Sequence, residues 1–267
     1  MGVYISSALT LSAAAALTAD FAKIGYQKIT GTITASTETA GFPASAANNE
    51  LTGTYWKPTA MPATWEIDAG AAESVDYIGI AAHTFGTDNT SVAIEYYDGA
   101  AWQVIDDINP GDNAPIMFIF TQRNEARYRL NLTGPTVPRV GVVFVGKHLE
   151  MQRGMYVGHS PITLSRKTFV RNNISEAGQF LGRSIVRTGS GTSYQWDNLT
   201  STWYRENFDP FVVHAQTKPF FIAWKPVTYS NEVGYVWLPE GRDIMPSNSG
   251  TLDYMSVSMD VEGLAHD

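Results

Sequence analysis

The chain has 267 residues, 44% of them hydrophobic and 16% charged, with a formal net charge of −8 and no cysteine. That composition belongs to a folded globular protein rather than a disordered or coiled-coil one, and the length suits two domains, each able to bury a core. The acid excess and the absence of a Lys/Arg cluster exclude nucleic acid as the main partner, and the missing cysteine excludes disulfides, Cys-ligated zinc and thiol chemistry.

The first residues, "MGVYISSALTLSAAAALTADFAKIGY", contain an alanine-rich run with no Lys or Arg before it. An export signal is therefore not expected, and the run is too short and weakly apolar for membrane insertion. Residues 1–27 are read as an N-terminal arm. From 28 to 150, strand-length apolar runs alternate with Gly, Pro, Asn and Asp clusters. "TWEID" alternates Trp65 and Ile67 with Glu66 and Asp68, whereas "VDYIGIAA" is continuously apolar and reads as a buried central strand. "SVAIEYYDGAAWQVI" predicts a hairpin: Val92, Ile94 and Tyr96 alternate, Asp98-Gly99 supplies a two-residue turn with positive φ, and Trp102 and Val104 return. "ARYRLNL" and "PRVGVVFVGKHLEM" are further strands around the turn "TGPTVP". In "RNEARYR", Arg123, Arg127 and Arg129 read as a solvated strand edge. The pattern predicts an antiparallel sandwich or jelly roll in which Trp65, Ile67, Tyr77, Ile80 and Trp102 converge between two layers.

Residues 151–179 are polar and loop-like and mark a domain boundary. Beyond them, "SIVRTGSGTSYQWDNL", "PFVVHAQTKPFFIAWKP", "EVGYVWLP" and "LDYMSVSMDVEGL" read as strands of a second β-rich domain, 151–267. "STWYRENFDPFVVHA" holds one short helix, with Trp203, Phe208 and Phe211 on its apolar face and Pro210 as a complication. The expected fold class is all-β with little helix.

One series of segments carries a family resemblance: Trp56 closing "NNELTGTYWKP", then "WEIDAG", "VDYIGIAAH", "VAIEYYDGAAW", "ARYRLNL" and "RVGVVFVG". It resembles the discoidin, or coagulation-factor type C, family, a galactose-binding-like jelly-roll sandwich. Trp65, Ile67, Asp68 and Gly70 fall on the family's aromatic-x-hydrophobic-Asp-x-Gly strand and turn, and Asp98, Gly99 and Trp102 on its Asp-Gly-x-x-Trp hairpin. The resemblance implies a fold and a tendency to bind sugars or surfaces. It hands over no individual binding residue, because the ligand loops of that family vary, and the disulfide of many extracellular members cannot form here.

The second half, with "GQFLGRSIVRTGSGTSYQWDNLTSTWYRENFDPF", "KPFFIAWKP" and "VSMDVEGL", looks like the closing part of tail structural proteins of long-tailed bacteriophages. Together the two resemblances imply a non-enzymatic component of a phage tail tip, distal tail or baseplate. Such a protein is made in the host cytoplasm, resides in the virion, and assembles with other tail proteins and copies of itself in a ring or shaft. The sandwich then projects toward a host surface glycan. The alternative is a stand-alone carbohydrate-binding module, secreted or displayed.

Three residues are candidate ligand contacts. Tyr55 and Lys57 flank Trp56 in a loop whose aromatic and basic groups suit a sugar ring, while Trp56 itself is expected to pack inward. His83 ends a buried strand among loops, where such folds bind ligands. The simpler expectation is that its imidazole satisfies a strand-end carbonyl. His148 and Glu150 share a strand face that suits a metal pair only if a third ligand converges; solvent-facing alternation explains them more simply. No cofactor is expected, although "NNELTG" and "DNAP" hold the oxygen donors that a structural calcium takes. The carboxylates Asp106 and Asp107, or Glu73 and Asp76, are too close in sequence to face each other across a cleft, so no glycosidase pair is expected. Four Asn-x-Ser/Thr sequences, at Asn89, Asn131, Asn173 and Asn198, are read as chance in a Ser/Thr-rich chain. The clustered aromatics of "YQW", "TWY", "PFFIAW" and "YVW" point either to an aromatic core or to contacts with neighbouring subunits.

Overall fold

A computed structural model describes residues 2–6, 20–156, 158–249 and 253–264. The architecture is all-β, a jelly-roll sandwich joined to a second β-rich body. The first sheet holds β1 (Val3–Ile5), β3 (Thr32–Ala35), β4 (Ala63–His83), β5 (Ser91–Tyr97), β6 (Trp102–Ile108), β7 (Ile116–Thr133) and β8 (Val140–Gly146). The second holds β2 (Lys23–Gly25), β9 (His148–Glu150), β10 (Lys167–Ile174), β11 (Phe180–Thr200), β12 (Phe220–Ala223), β13 (Val233–Trp237), β14 (Met245–Ser249) and β15 (Tyr254–Gly263). Among the described residues, no helix is long and apolar enough to cross a membrane.

The sandwich is one long ribbon folded on itself. β4 and β7 pair antiparallel from Ala63 opposite Leu132 to Ile80 opposite Ile116, and their register slips between Asp68 and Glu73. On one side of that slip the ribbon carries β3, β5 and β6; on the other it carries β8 and β1. Both layers are thus made from the same two strands, and a slip of this kind lets a strand bend from one layer to the next. Trp65, Ile67, Ile78, Ile80, Phe118 and Leu130 fill the space between them.

The continuous apolar run in β4 has a cause that alternation alone does not supply. Ile78 and Ile80 face the sandwich core, while Tyr77 and Ala81 face the other way. There they meet Phe221, Ala223, Val233 and Tyr235 of β12 and β13 together with Met117 and Phe144. Phe144 stands edge-on to Phe221 at 5.4 Å and to Tyr235 at 6.0 Å. Burial of each such ring contributes about 1.5–3 kcal/mol. Gly79 permits the close approach, because a Cβ there would stand 2.7 Å from the Phe221 ring.

Several sequence expectations are corrected. Tyr77 lies in this seam rather than between the sandwich layers. Trp102 lies outside the core on the β5–β6–β7 face, with the Arg129 guanidinium 4.1 Å from its ring centroid, and Val104 is exposed. The arginines of "RNEARYR" are not merely solvated: Arg127 pairs with Glu66 at 2.6 Å and Arg129 with the buried Glu95. The β5–β6 connection is a four-residue loop rather than a two-residue turn. Only Gly99 has positive φ, at +95°, and the Asp98 carboxylate accepts the N–H groups of Ala100 and Ala101.

The stretch expected to be loop contains β10, which pairs with β11 from Lys167 opposite Gly189 to Ile174 opposite Phe180. Helical backbone continues from 201 to 215 through Pro210. A π-helical turn at Tyr204–Phe208 directly precedes the last segment, where the missing proline N–H is tolerated in the first turn. The C-terminal aromatics form the protein's own packing: Tyr194, Trp196, Tyr204, Phe208, Phe211 and Phe220 are buried in the second core. Of the expected arm, Val3–Ile5 joins the first sheet and Lys23–Gly25 the second.

Adding one methyl at the seam tests this packing. Gly79→Ala is expected to cost about 1–3 kcal/mol through overpacking, whereas Gly111→Ala, where a Cβ meets nothing within 4 Å, is expected to leave stability nearly unchanged. Urea denaturation measures both, and equal midpoints for the two variants contradict a close-packed seam.

Candidate functional site

The loops 36–62, 84–90, 109–115 and 134–139 all leave the same end of the sandwich, as the strand registers require. Here a groove of about 380 Å³ opens between residues 41–46 and 49–55, within the ~300–1,000 Å³ range of small-molecule sites. Its wall is Phe42 and Pro43 with Tyr55, and Ser45, Asn49 and Thr54 supply hydroxyl and amide groups. Phe42 and Tyr55 stack at 4.6 Å with planes 10° apart, and the Arg139 guanidinium lies 5.4 Å from the Tyr55 centroid.

Local sequence shapes this wall. The Trp56 ring is fully buried and its indole N–H donates to the Thr37 carbonyl at 3.0 Å, while the Trp56 backbone bridges to Val140. Trp56 therefore anchors the loop, as expected, and places Tyr55 in the groove. Asn49 folds the rest of that bank: its amide oxygen accepts the Leu51 N–H at 2.8 Å, and its amide N–H donates to Thr54 Oγ1 at 2.8 Å.

The three residues expected as contacts are not brought together. Tyr55 lines the groove, whereas Lys57 does not; its backbone braces the loop by accepting from Thr39 N–H and donating to the Phe42 carbonyl. His83 is only 3% exposed. Its Nδ1 accepts the Phe85 N–H at 3.3 Å, so Nε2 carries the hydrogen that is donated to the Ala114 carbonyl at 2.9 Å. Burial lowers its pKa from 6.5 to about 4, partly opposed by the Ala114 hydrogen bond. This is a neutral strand-end fixture. Phe42, Pro43, Ser45 and Asn49 are groove residues that the sequence reading did not select, although the Gly41-Phe42-Pro43 turn beside a lone aromatic was a usable signal.

The oxygen donors that a structural calcium would take meet partners within the chain. In "NNELTG", the Lys28 ammonium donates to the Asn48 carbonyl at 2.6 Å and pairs with the Glu50 carboxylate at 2.9 Å. Burial alone would raise the Glu50 carboxyl, but the hydrogen bond and charge of Lys28 outweigh it and hold the pKa below its ordinary value. Tyr235 of the second body donates to the Glu50 carbonyl at 2.8 Å. In "DNAP", Asp112 accepts the Ala114 N–H and Asn113 is tied to Thr87. These donor sets do not fit a calcium ion that needs six to eight free oxygens. Among the described residues, no group of three or more His, Asp or Glu side chains could hold a metal.

His148 and Glu150 also have separate partners. His148 Nδ1 lies 2.8 Å from the buried Asp76, which also accepts the His148 N–H at 2.7 Å, while Glu150 pairs with the buried Lys23. Asp76 thus braces β9 against β4, and Glu73 is exposed.

Residues 32–138 match the F5/8 type C domain family. Among solved structures, the family 32 CBM from C. perfringens NanJ, in complex with galactose, is 17% identical over 46% of this chain and 98% of that chain, with a TM-score of 0.41. Chitosan-binding module 1 derived from chitosanase/glucanase from Paenibacillus sp. IK-5 is 20% identical over 45% and 97%, with a TM-score of 0.38. The CBM32 of AlyQ, in complex with 4,5-unsaturated mannuronic acid, is 19% identical over 45% and 97%, also at 0.38. No curated protein matches the chain.

Two outcomes follow from the site. Below pH 6.5 the unfolded His83 takes up a proton that the folded residue refuses until about pH 4, so stability is lost as pH falls through that window, by up to about 3 kcal/mol. His83→Gln is expected to flatten this slope in pH-dependent denaturation; an unchanged slope contradicts the assignment. At the loop, a chelator is expected to leave the melting temperature unchanged, and Lys28→Met is expected to cost roughly 1–3 kcal/mol by stranding Glu50 and the Asn48 carbonyl. A chelator-sensitive melting temperature contradicts the lysine assignment.

Proposed function

We propose that this chain is a non-enzymatic structural component of a bacteriophage tail tip or baseplate, and that its F5/8 type C sandwich binds a carbohydrate in the Phe42–Tyr55 groove. The groove carries the sugar half of this reading. An apolar wall of Phe42, Pro43 and Tyr55 suits the C–H faces of a pyranose ring, and Ser45, Asn49 and Thr54 place hydrogen-bonding groups at its rim.

The tail half is supported by the resemblance of the second body to phage tail proteins and by the way that body is attached. A module that serves only as a tether needs a loose linker, whereas a component of a rigid particle needs a fixed orientation. The Tyr77–Phe144–Phe221–Tyr235 packing supplies one. The second reading is a stand-alone carbohydrate-binding module, favoured by a groove lined entirely by residues 41–55 of the sandwich.

A glycan array followed by calorimetry on the best soluble glycan tests the first half. Phe42→Ala and Tyr55→Ala are each expected to weaken binding roughly 2- to 12-fold with the fold retained; the absence of any array signal, or unchanged affinity in both variants, contradicts it. Immunodetection in purified tail particles tests the second half, and absence from particles leaves the free-module reading.

A further inference from the structure

The β10–β11 hairpin leaves the second body as an arm. β15 pairs with β11 only from Ser190 onward, so, among the described residues, 180–189 have β10 on one side and an open edge on the other, and β10 is itself an edge strand. The tip is well formed: Ser175 N–H donates to the Gln179 carbonyl at 2.9 Å, Gln179 N–H donates to Ser175 Oγ at 3.0 Å, and Gly178 takes φ +78°. A two-stranded hairpin with solvent on both faces has marginal stability in water.

This arm also carries large exposed apolar side chains. Ile174, Phe180, Leu181, Ile185 and Val186 are 61–65% exposed. Pairing sets Val170 beside Ile185 and Ile174 beside Phe180 on one face, with Arg183 bonded to Asn172 between them. Leu181 and Val186 sit at the two register slips. The opposite face holds Phe169 under the Arg187 guanidinium at 4.0 Å, with Arg171 next along the strand. An apolar stripe between two open strand edges is a pairing surface.

Charge selects the occupant. Residues 166–187 contain five Lys/Arg and one Glu, in a chain with 18 Lys/Arg and 26 Asp/Glu. The remaining residues therefore carry 13 Lys/Arg against 25 Asp/Glu. Two arms facing each other would oppose like charges, whereas an arm laid on the body of another copy meets the opposite sign.

We propose that the β10–β11 hairpin is an assembly arm whose Val170–Ile174–Phe180–Ile185 stripe docks on an acidic surface of a second copy of this chain. The contact is head-to-tail, so repetition closes a ring or extends a shaft. It rests on the assembly half of the reading above and is independent of sugar binding.

Light scattering coupled to size exclusion on the full chain tests it. The wild type is expected to run as an oligomer with a mass that is a multiple of 29.2 kDa and to dissociate partly at high salt. The double variant Ile174→Ser with Phe180→Ser is expected to raise the dissociation constant roughly 100-fold or more at unchanged melting temperature. A second variant, Arg183→Glu, which reverses the charge on the stripe face, is expected to weaken association without removing apolar area. A monomeric wild type at high micromolar concentration overturns the proposal, as does an oligomer indifferent to both variants. Glycan affinity measured on the same samples separates the two ideas: its loss with assembly intact sinks only the sugar reading, and a monomer that still binds glycan sinks only the arm.

Discussion

The structure depends on burying the second half of β4 on both faces. Ile78 and Ile80 close the sandwich while Tyr77 and Ala81 close the seam with β12 and β13, leaving Gly79 as the gap into which Phe221 fits. A strand buried on one side tolerates a polar outer face; this one does not, and its composition follows from that constraint. Because β4 and β7 also supply both layers of the sandwich, the same two strands join the seam to the sandwich core.

A direct contact also ties the second body to the groove loop. Tyr235, in the seam, donates to the Glu50 carbonyl, and Glu50 shares Lys28 with the Asn48 carbonyl. The bank of the groove formed by Asn49 and Thr54 is therefore held from below by the second body and by an internal cation. Charge-assisted hydrogen bonds of this kind fix a loop in place of a metal ion. The Tyr55 end of the same bank rests on the sandwich itself through Trp56, whose indole and backbone are both satisfied. A preorganised loop binds with less loss of conformational freedom than a mobile one.

The sandwich was legible in the sequence because its strands alternate with strong turn residues and because Trp65, Ile67 and Ile80 lie where alternation puts them. Tyr77 and Trp102 were misplaced for one shared reason: a period of two says that a residue changes face, not which face is the core. Tyr77 faces a second body that no local pattern reveals, and Trp102 lies beneath Arg129, which satisfies an aromatic face outside the core. The arm escaped notice because its polar turn and scattered apolar residues lack the density of a core strand. The groove was half legible. Tyr55 was selected for its loop composition, but Phe42, thirteen positions earlier, meets it only through the folded bridge between Thr39 and Phe42. His83 has the right chemistry for a ligand but is buried with both ring nitrogens bonded, and Lys57 lies outside the groove lining.

Amide hydrogen exchange, resolved by segment under native conditions, is the most direct test of the seam as the organising contact. The two sheets are expected to share one opening free energy, with β4 from Tyr77 to Ala81, β12 and β13 equally and most strongly protected. Separate free energies for the sandwich and for the β12–β13 body, with β4 following the sandwich alone, would contradict the account.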